Sequence, residues 1–130
     1  MLLVRDFKTK IKISKIGYEK IADFALGKNF ELSLVFVGKK KIHDLNLKFR
    51  QKDKPTNILS FPLSKNEGEI FICPAVAKKE IKIVEKPLDE YIKYLFIHGI
   101  THLKGFDHGS KMEREEEKIR RKFLKKRFSL

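Results

Sequence analysis

Apolar and polar residues alternate along the first third of the chain in patterns that predict a strand, a helix and a second strand. Within residues 2–13 an apolar run at residues 2–4 precedes residues 7–13, where apolar and basic residues alternate with period two; we expect an edge strand here, whose limits the pattern does not define. Ser14 is a candidate N-cap for a following helix, which Gly27 ends. Residues 30–37 are almost all apolar and predict a buried second strand.

The middle of the chain continues with a helix and two more strands. Beyond Gly38, apolar residues recur at helical spacing as far as Phe49, and a polar, charged loop follows them. Residues 56–62 predict a third strand, which we expect Pro62 to end because proline cannot donate to a sheet ladder. Residues 69–73 predict a fourth strand, and the short connection between the two favours a hairpin.

Three further helices complete the predicted order. They cover residues 74–84, residues 91–103 with Pro87 opening the first turn, and a stretch that begins at Ser110. The helix over residues 91–103 is apolar on nearly all sides, so we expect it to lie mostly buried at the centre of the molecule. The order of elements predicts an α+β fold, with a single mixed β-sheet of about four strands and helices packed on it.

Length and charge narrow the class of protein. The chain has 130 residues, which is enough for one domain over residues 1–130 and too few for two. A formal net charge of +13 favours a polyanionic partner, with nucleic acid ahead of an anionic membrane surface. A single cysteine, the lack of a signal-peptide pattern and the lack of a membrane-spanning apolar run predict a cytoplasmic protein that does not enter a membrane.

Three of the four histidines fall in one short stretch around the end of the apolar helix. His98 and His102 are four residues apart, so one helix presents both imidazoles on the same face. Gly105 can end the helix in the left-handed conformation, which allows His108 to return toward the same point as a third ligand. The pattern predicts one zinc ion held by three histidines, with a fourth position open for water.

The spacing of these histidines matches that of metzincin peptidases with one important difference. The residue after the first histidine is the catalytic glutamate in those enzymes and is Gly99 here. The peptidase interpretation therefore lacks its base. A three-histidine zinc lowers the pKa of a bound water to about 7, which supplies a nucleophile or base without a neighbouring carboxylate.

Three stretches together resemble one known family, the YbeY metal-dependent endoribonucleases or ribosomal RNA maturation factors. They are residues 45–62, residues 68–70 and residues 98–108. The resemblance implies zinc on His98, His102 and His108, and an arginine at Arg50 near the metal that is needed for activity. It also implies single-strand-specific cleavage in small-subunit ribosomal RNA maturation and ribosome quality control, and association with ribosomes.

The residue types suit these roles. Arg50, expected on the loop after the second helix, carries a planar fork that can hold two phosphate oxygens, so we name it with His98 as a candidate catalytic residue. Lys52 and Lys54 on the same loop can follow an RNA backbone. Ser60 can bond a phosphate or simply finish its strand. The attacking group is left open between a metal-bound hydroxide and the 2′-hydroxyl of RNA.

Asp107 and two alternative functions complete the interpretation. Asp107, next to the third histidine, can orient an imidazole or cap the turn, and we favour the first. One alternative is an RNA- or ribosome-binding factor that zinc stabilises and that has no catalytic activity. The other is a small metallohydrolase with a different substrate, which Gly99 and the positive charge disfavour.

Overall fold

The structure, a computed structural model, describes residues 1–7, 9–84, 87–106 and 109–124. These ranges contain four strands and five helices. In chain order they are β1 (Leu2–Asp6), α1 (Tyr18–Leu26), β2 (Glu31–Phe36), α2 (Lys39–Arg50), β3 (Ile58–Ser64), β4 (Glu67–Ile72), α3 (Pro74–Val84), α4 (Leu88–Leu103) and α5 (Ser110–Phe123). The predicted α+β class and the predicted order of elements are confirmed. No helix within the described ranges has the length and apolar character needed to cross a membrane.

The four strands form one mixed sheet in the order β1-β2-β4-β3. Strands β1, β2 and β4 run parallel, and β3 is antiparallel to β4. A two-residue turn at residues 65–66 joins β3 and β4 into the predicted hairpin. Strand β1 lies at one edge, as predicted for the N-terminal strand, and β3 lies at the other edge.

Helix α4 crosses one face of this sheet and forms the centre of the main core. Its residues Ile92, Phe96 and Ile100 are fully buried with Leu34 of β2 and Ile70 of β4. Each such side chain contributes about 1.5–3 kcal/mol by burial. Helices α1, α3 and α5 also contact α4. The backbone that carries His98 and His102 is therefore held firmly on several sides.

Helix α2 covers part of the opposite face of the sheet. Its Ile42 is fully buried in a second, smaller cluster with Val35, Val37 and Leu59. Successive residues of a strand point to opposite faces, which is why β2 supplies both clusters. This packing brings α2 against β3 at the edge of the sheet.

Gly99 explains how closely α4 approaches the sheet. A Cβ atom at this position would lie 2.8 Å from Ile58 Cδ1 and 3.2 Å from Ile70 Cδ1, so glycine allows a contact that any other residue would disturb. A side chain at position 99 would point into the sheet. Gly99, which stands where metzincin peptidases have their catalytic glutamate, therefore allows α4 to pack closely on the sheet.

Three local predictions are wrong. Strand β1 ends at Asp6 and does not continue to residue 13. Ser14 is not the cap of α1, which begins after Gly17 at a φ of 96°; the Ser14 Oγ accepts instead from the Ile16 N–H at 3.3 Å, before the helix, and the Ser14 N–H donates to Asp89 Oδ1 at 2.9 Å. Pro62 does not end β3, because β3 is an edge strand that tolerates a missing donor, and the register shifts between Pro62 and Ser64.

Candidate functional site

A cleft of about 670 Å³ opens between α4, β3 and the end of α2. Its polar and aromatic lining includes Arg50 from α2, Ser60 from β3, Asn57 just before β3, and Tyr91, Tyr94, His98 and His102 from α4. The α4 residues are three or four positions apart and so share one face of the helix. The cleft thus brings together Arg50 and two of the three predicted zinc ligands.

His98 and His102 meet at their Nε2 atoms. The two atoms lie 3.3 Å apart, and the imidazole planes are inclined at 86°. Two ligand nitrogens of a tetrahedral zinc ion, each about 2.0–2.1 Å from the metal, lie roughly 3.3–3.4 Å apart. The separation in this structure therefore fits two ligands of one such ion.

Glu116 of α5 supports His98 from behind. The Nδ1 atom of His98 makes a short hydrogen bond with Glu116 Oε1, and Thr101 Oγ1, which donates to the His98 carbonyl at 2.7 Å, lies 3.3 Å from the same oxygen. The other oxygen, Oε2, accepts from Arg120 Nη1 at 2.9 Å. A carboxylate bonded to Nδ1 keeps the proton on that nitrogen, so that the Nε2 lone pair is directed to the cleft.

Glu116 is buried and yet charged. Burial raises the pKa of the Glu116 carboxyl, but the hydrogen bond from His98 and the positive charge of Arg120 outweigh that effect and hold the pKa below its usual value. The group is therefore ionised at neutral pH. Sequence reasoning missed Glu116, although it interrupts the apolar stripe of α5 between Met112 and Ile119, which was the available signal.

Arg50 lies at the edge of the cleft. It is the last residue of α2, so the prediction that it lies on the loop after this helix is wrong. Its Nη2 donates to the Ser60 carbonyl at 2.9 Å, and its guanidinium lies 4.9 Å from the centroid of the Phe61 ring. Gln51 takes the left-handed conformation, with φ 57°, and turns the chain away after α2. These contacts position an exposed arginine beside the histidines.

The other predicted RNA contacts differ among themselves. Ser60 Oγ donates to the Gly99 carbonyl at 2.9 Å and so fastens β3 to α4, although Ser60 also lines the cleft. Lys52 and Lys54 are exposed on the loop between α2 and β3. The side chain of the buried Asn46 holds this loop by donating to the Lys54 carbonyl at 2.8 Å.

Asp107 and His108 lie outside the described residues. Within the part of the chain that the structure describes, no group of three or more His, Cys, Asp or Glu side chains is arranged to hold a metal ion. The third zinc ligand and the predicted role of Asp107 therefore stay predictions. The fourth histidine, His43, lies apart from the cleft lining and bonds Asp53 Oδ1 at 2.7 Å.

Comparison with known proteins gives matches that extend over nearly the whole chain. A family model described as Endoribonuclease YbeY matches residues 4–127. A relative from Francisella philomiragia named Endoribonuclease YbeY is 42% identical over 97 residues, which are 66% of this chain and 61% of the relative. A relative of the same name from Aquifex aeolicus is 38% identical over 129 residues, 92% of this chain and 84% of the relative.

The fold is also found among solved structures. A solution structure from Thermotoga maritima superposes with a TM-score of 0.65 at 24% identity, covering 92% of this chain and 86% of that one. The match to the Francisella relative spans about three fifths of that protein's length, whereas the family model extends over nearly all of this chain. The resemblance seen in the sequence is confirmed, and the chain belongs to the YbeY family.

Proposed function

We propose that this protein is a zinc-dependent endoribonuclease that cuts single-stranded RNA in the cleft between α4 and β3. The observation that carries the proposal is the pair of histidine Nε2 atoms, 3.3 Å apart, in a cleft that Arg50 also lines. The curated relatives are named as endoribonucleases, which supports the reaction class. We further propose small-subunit ribosomal RNA as substrate, in a cytoplasmic, ribosome-associated protein, as the family resemblance implies.

His98, His102 and His108 would hold the ion. The fit of the first two rests on their separation and on the carboxylate behind His98, because metal-bound histidines almost always donate their other ring N–H to a carboxylate, a backbone carbonyl or a water. When bound, the ion would stabilise negative charge that develops on a phosphate oxygen. Glu116 keeps the His98 proton on Nδ1 throughout, and Arg120 holds the second oxygen of that carboxylate in place.

Arg50 would bind the phosphate group that is cut. A guanidinium has five N–H donors, and the Ser60 carbonyl accepts from one of them, which leaves four for a ligand. The Phe61 ring restricts the side chain further, so less conformational entropy is lost when a phosphate binds. Two parallel N–H donors can then follow the charge on the two non-bridging oxygens as it grows.

Two features favour RNA over a peptide substrate. The net charge of +13 attracts a polyanion such as RNA and stabilises it once it is bound. A side chain at position 99 would point toward the sheet, so the position of the peptidase glutamate supplies only backbone, and no carboxylate, to the cleft. The concave shape of the site also favours a single strand, whose bases can be splayed out, over a duplex.

The proposal is tested by cleavage of a labelled single-stranded RNA, with the same RNA annealed to its complement as a comparison. We expect the zinc-loaded protein to cut the single strand in preference. Removal of zinc by a chelator should abolish cleavage, and zinc added back should restore it, while circular dichroism shows that the fold persists. Cleavage that survives chelation would contradict metal dependence, and RNA binding without cleavage at full zinc occupancy would favour the binding-factor alternative.

A further inference from the structure

Two tyrosines of α4 stand in the cleft about one and two helical turns before the first histidine. Tyr91, Tyr94 and His98 share one face of the helix, and all three line the cleft. The Tyr91 and Tyr94 rings are parallel to within 12°, with centroids 6.0 Å apart. We call these two rings the aromatic wall. Tyr94 is the nearer of the two to His98, which it precedes by about 6 Å along the helix axis.

Neighbouring helices hold both rings in place. The Tyr91 hydroxyl donates to Glu80 Oε1 of α3 at 3.1 Å. The guanidinium of Arg120 on α5 lies over the Tyr94 ring, 5.5 Å from its centroid. Because a neighbouring helix holds each ring, the two side chains lose little conformational entropy when a ligand stacks on them.

The two hydroxyls are uncharged at neutral pH. Burial raises the pKa of Tyr91, and the carboxylate of Glu80 raises it further. Burial also raises the pKa of Tyr94, and the opposing effect of Arg120 does not cancel it. The wall therefore does not repel the phosphates of a polyanion that enters the cleft.

A polar edge adjoins the wall. Asn57, which also lines the cleft, donates its amide to both oxygens of Glu80, at 3.1 and 3.4 Å. An asparagine amide carries an acceptor oxygen as well as donors, so it can pair with the edge of a nucleobase. Flat aromatic surface beside an amide edge is the combination that binds unstacked bases in single-stranded RNA.

We propose that Tyr91 and Tyr94 form a subsite for one unpaired nucleobase of the RNA, next to the phosphate that Arg50 engages. The inference rests on the proposed function, because it takes single-stranded RNA as the occupant of the cleft. It also explains why the protein would prefer single-stranded to double-stranded RNA. A base must leave its stack to reach the tyrosines, and for a paired base this step costs additional free energy.

The test uses zinc-stripped protein, so that no RNA is cut, and a short single-stranded RNA that carries 2-aminopurine. We expect its fluorescence to be quenched on binding. Tyr91→Leu and Tyr94→Leu should each weaken binding about 5- to 150-fold, the range that corresponds to stacking of one base. Tyr91→Phe and Tyr94→Phe keep the ring and should bind within about threefold of the parent.

A second arm uses the unaltered protein, so it does not depend on the folding of any variant. A set of RNAs in which one base at a time is replaced by an abasic site should contain one member whose affinity falls as far as in the leucine variants. That member should bind parent and leucine variants equally. The subsite is overturned if no abasic position matters, or if folded leucine variants bind the intact RNA within twofold of the parent.

The outcome separates this subsite from the nuclease activity, which is measured with zinc restored. A parent protein that cuts RNA while the leucine variants bind and cut normally retains the nuclease proposal and loses the subsite. A parent protein that does not cut, but whose RNA affinity depends on both rings, retains the subsite and loses the nuclease proposal.

Discussion

Replacement of Arg50 by lysine separates the chemical role of this side chain from its role in the fold. Lysine keeps the positive charge but loses the planar fork, so it can no longer present two parallel donors to a phosphate. In the structure the fork is positioned by the Ser60 carbonyl, at 2.9 Å, and by the Phe61 ring. Arg50→Lys therefore removes a preorganised donor pair at the edge of the cleft.

The expected effect on stability is small and that on turnover is large. Arg50 is exposed, and a cation–π contact at an exposed site contributes only about 0.5–1 kcal/mol. Loss of one preorganised donor to the transition state typically lowers kcat about 10²- to 10³-fold. Because the interaction strengthens only as charge develops, RNA affinity should change much less than kcat.

The assay is single-turnover cleavage of a short single-stranded RNA at matched zinc occupancy. Arg121→Lys is the matched control, since Arg121 is also an exposed arginine and pairs at the surface with Glu117 at 2.9 Å. The control should cut at the parent rate. If Arg50→Lys also cuts within about threefold of the parent, a change of roughly 0.7 kcal/mol, Arg50 has no part in the transition state.

Three further predictions follow from the support of the site, its charge and its packing. Glu116→Gln should weaken zinc binding about 10- to 100-fold in a chelator competition, because His98 loses its charged partner, whereas Glu117→Gln, which removes a half-buried carboxylate that pairs with Arg121, should not. RNA affinity should fall with added salt at a logarithmic slope of about −0.7 per phosphate contact, and a flat response would contradict an electrostatic interface. Gly68→Ala should lower the free energy of unfolding in urea by about 1–3 kcal/mol, since the new Cβ would lie 2.9 Å from a Leu103 methyl group, whereas Gly38→Ala, with open space around it, should cost about 1 kcal/mol or less.

Sequence periodicity was enough to predict the order of elements and the mixed sheet, because each element buries one face and repeats its apolar residues accordingly. The ends of elements were harder to predict. Ser14 has the chemistry of a helix cap, yet a tertiary hydrogen bond to Asp89 holds its backbone, its hydroxyl accepts from the nearby Ile16 N–H, and the helix begins later. Pro62 can continue β3 only because that strand lies at an edge, a fact of topology that no local pattern contains.

The site shows the same division between local and long-range information. The i,i+4 spacing of His98 and His102 specified their mutual placement, since one rigid helix carries both. Glu116 reaches His98 from another helix, 18 residues further along the chain. Its only sequence signal is a carboxylate within an apolar stripe, and the packing of α5 on α4 decides what that carboxylate contacts.

The most direct test of the central claim counts zinc and measures RNA cleavage in the same four variants, each with one histidine replaced by alanine. His98→Ala, His102→Ala and His108→Ala should each lose the single bound ion and single-stranded RNA cleavage together. His43→Ala is the matched control, because His43 bonds Asp53 outside the cleft, and it should keep one ion per chain and the parent rate. A folded His98→Ala or His102→Ala protein that still cuts RNA at the parent rate would contradict the account.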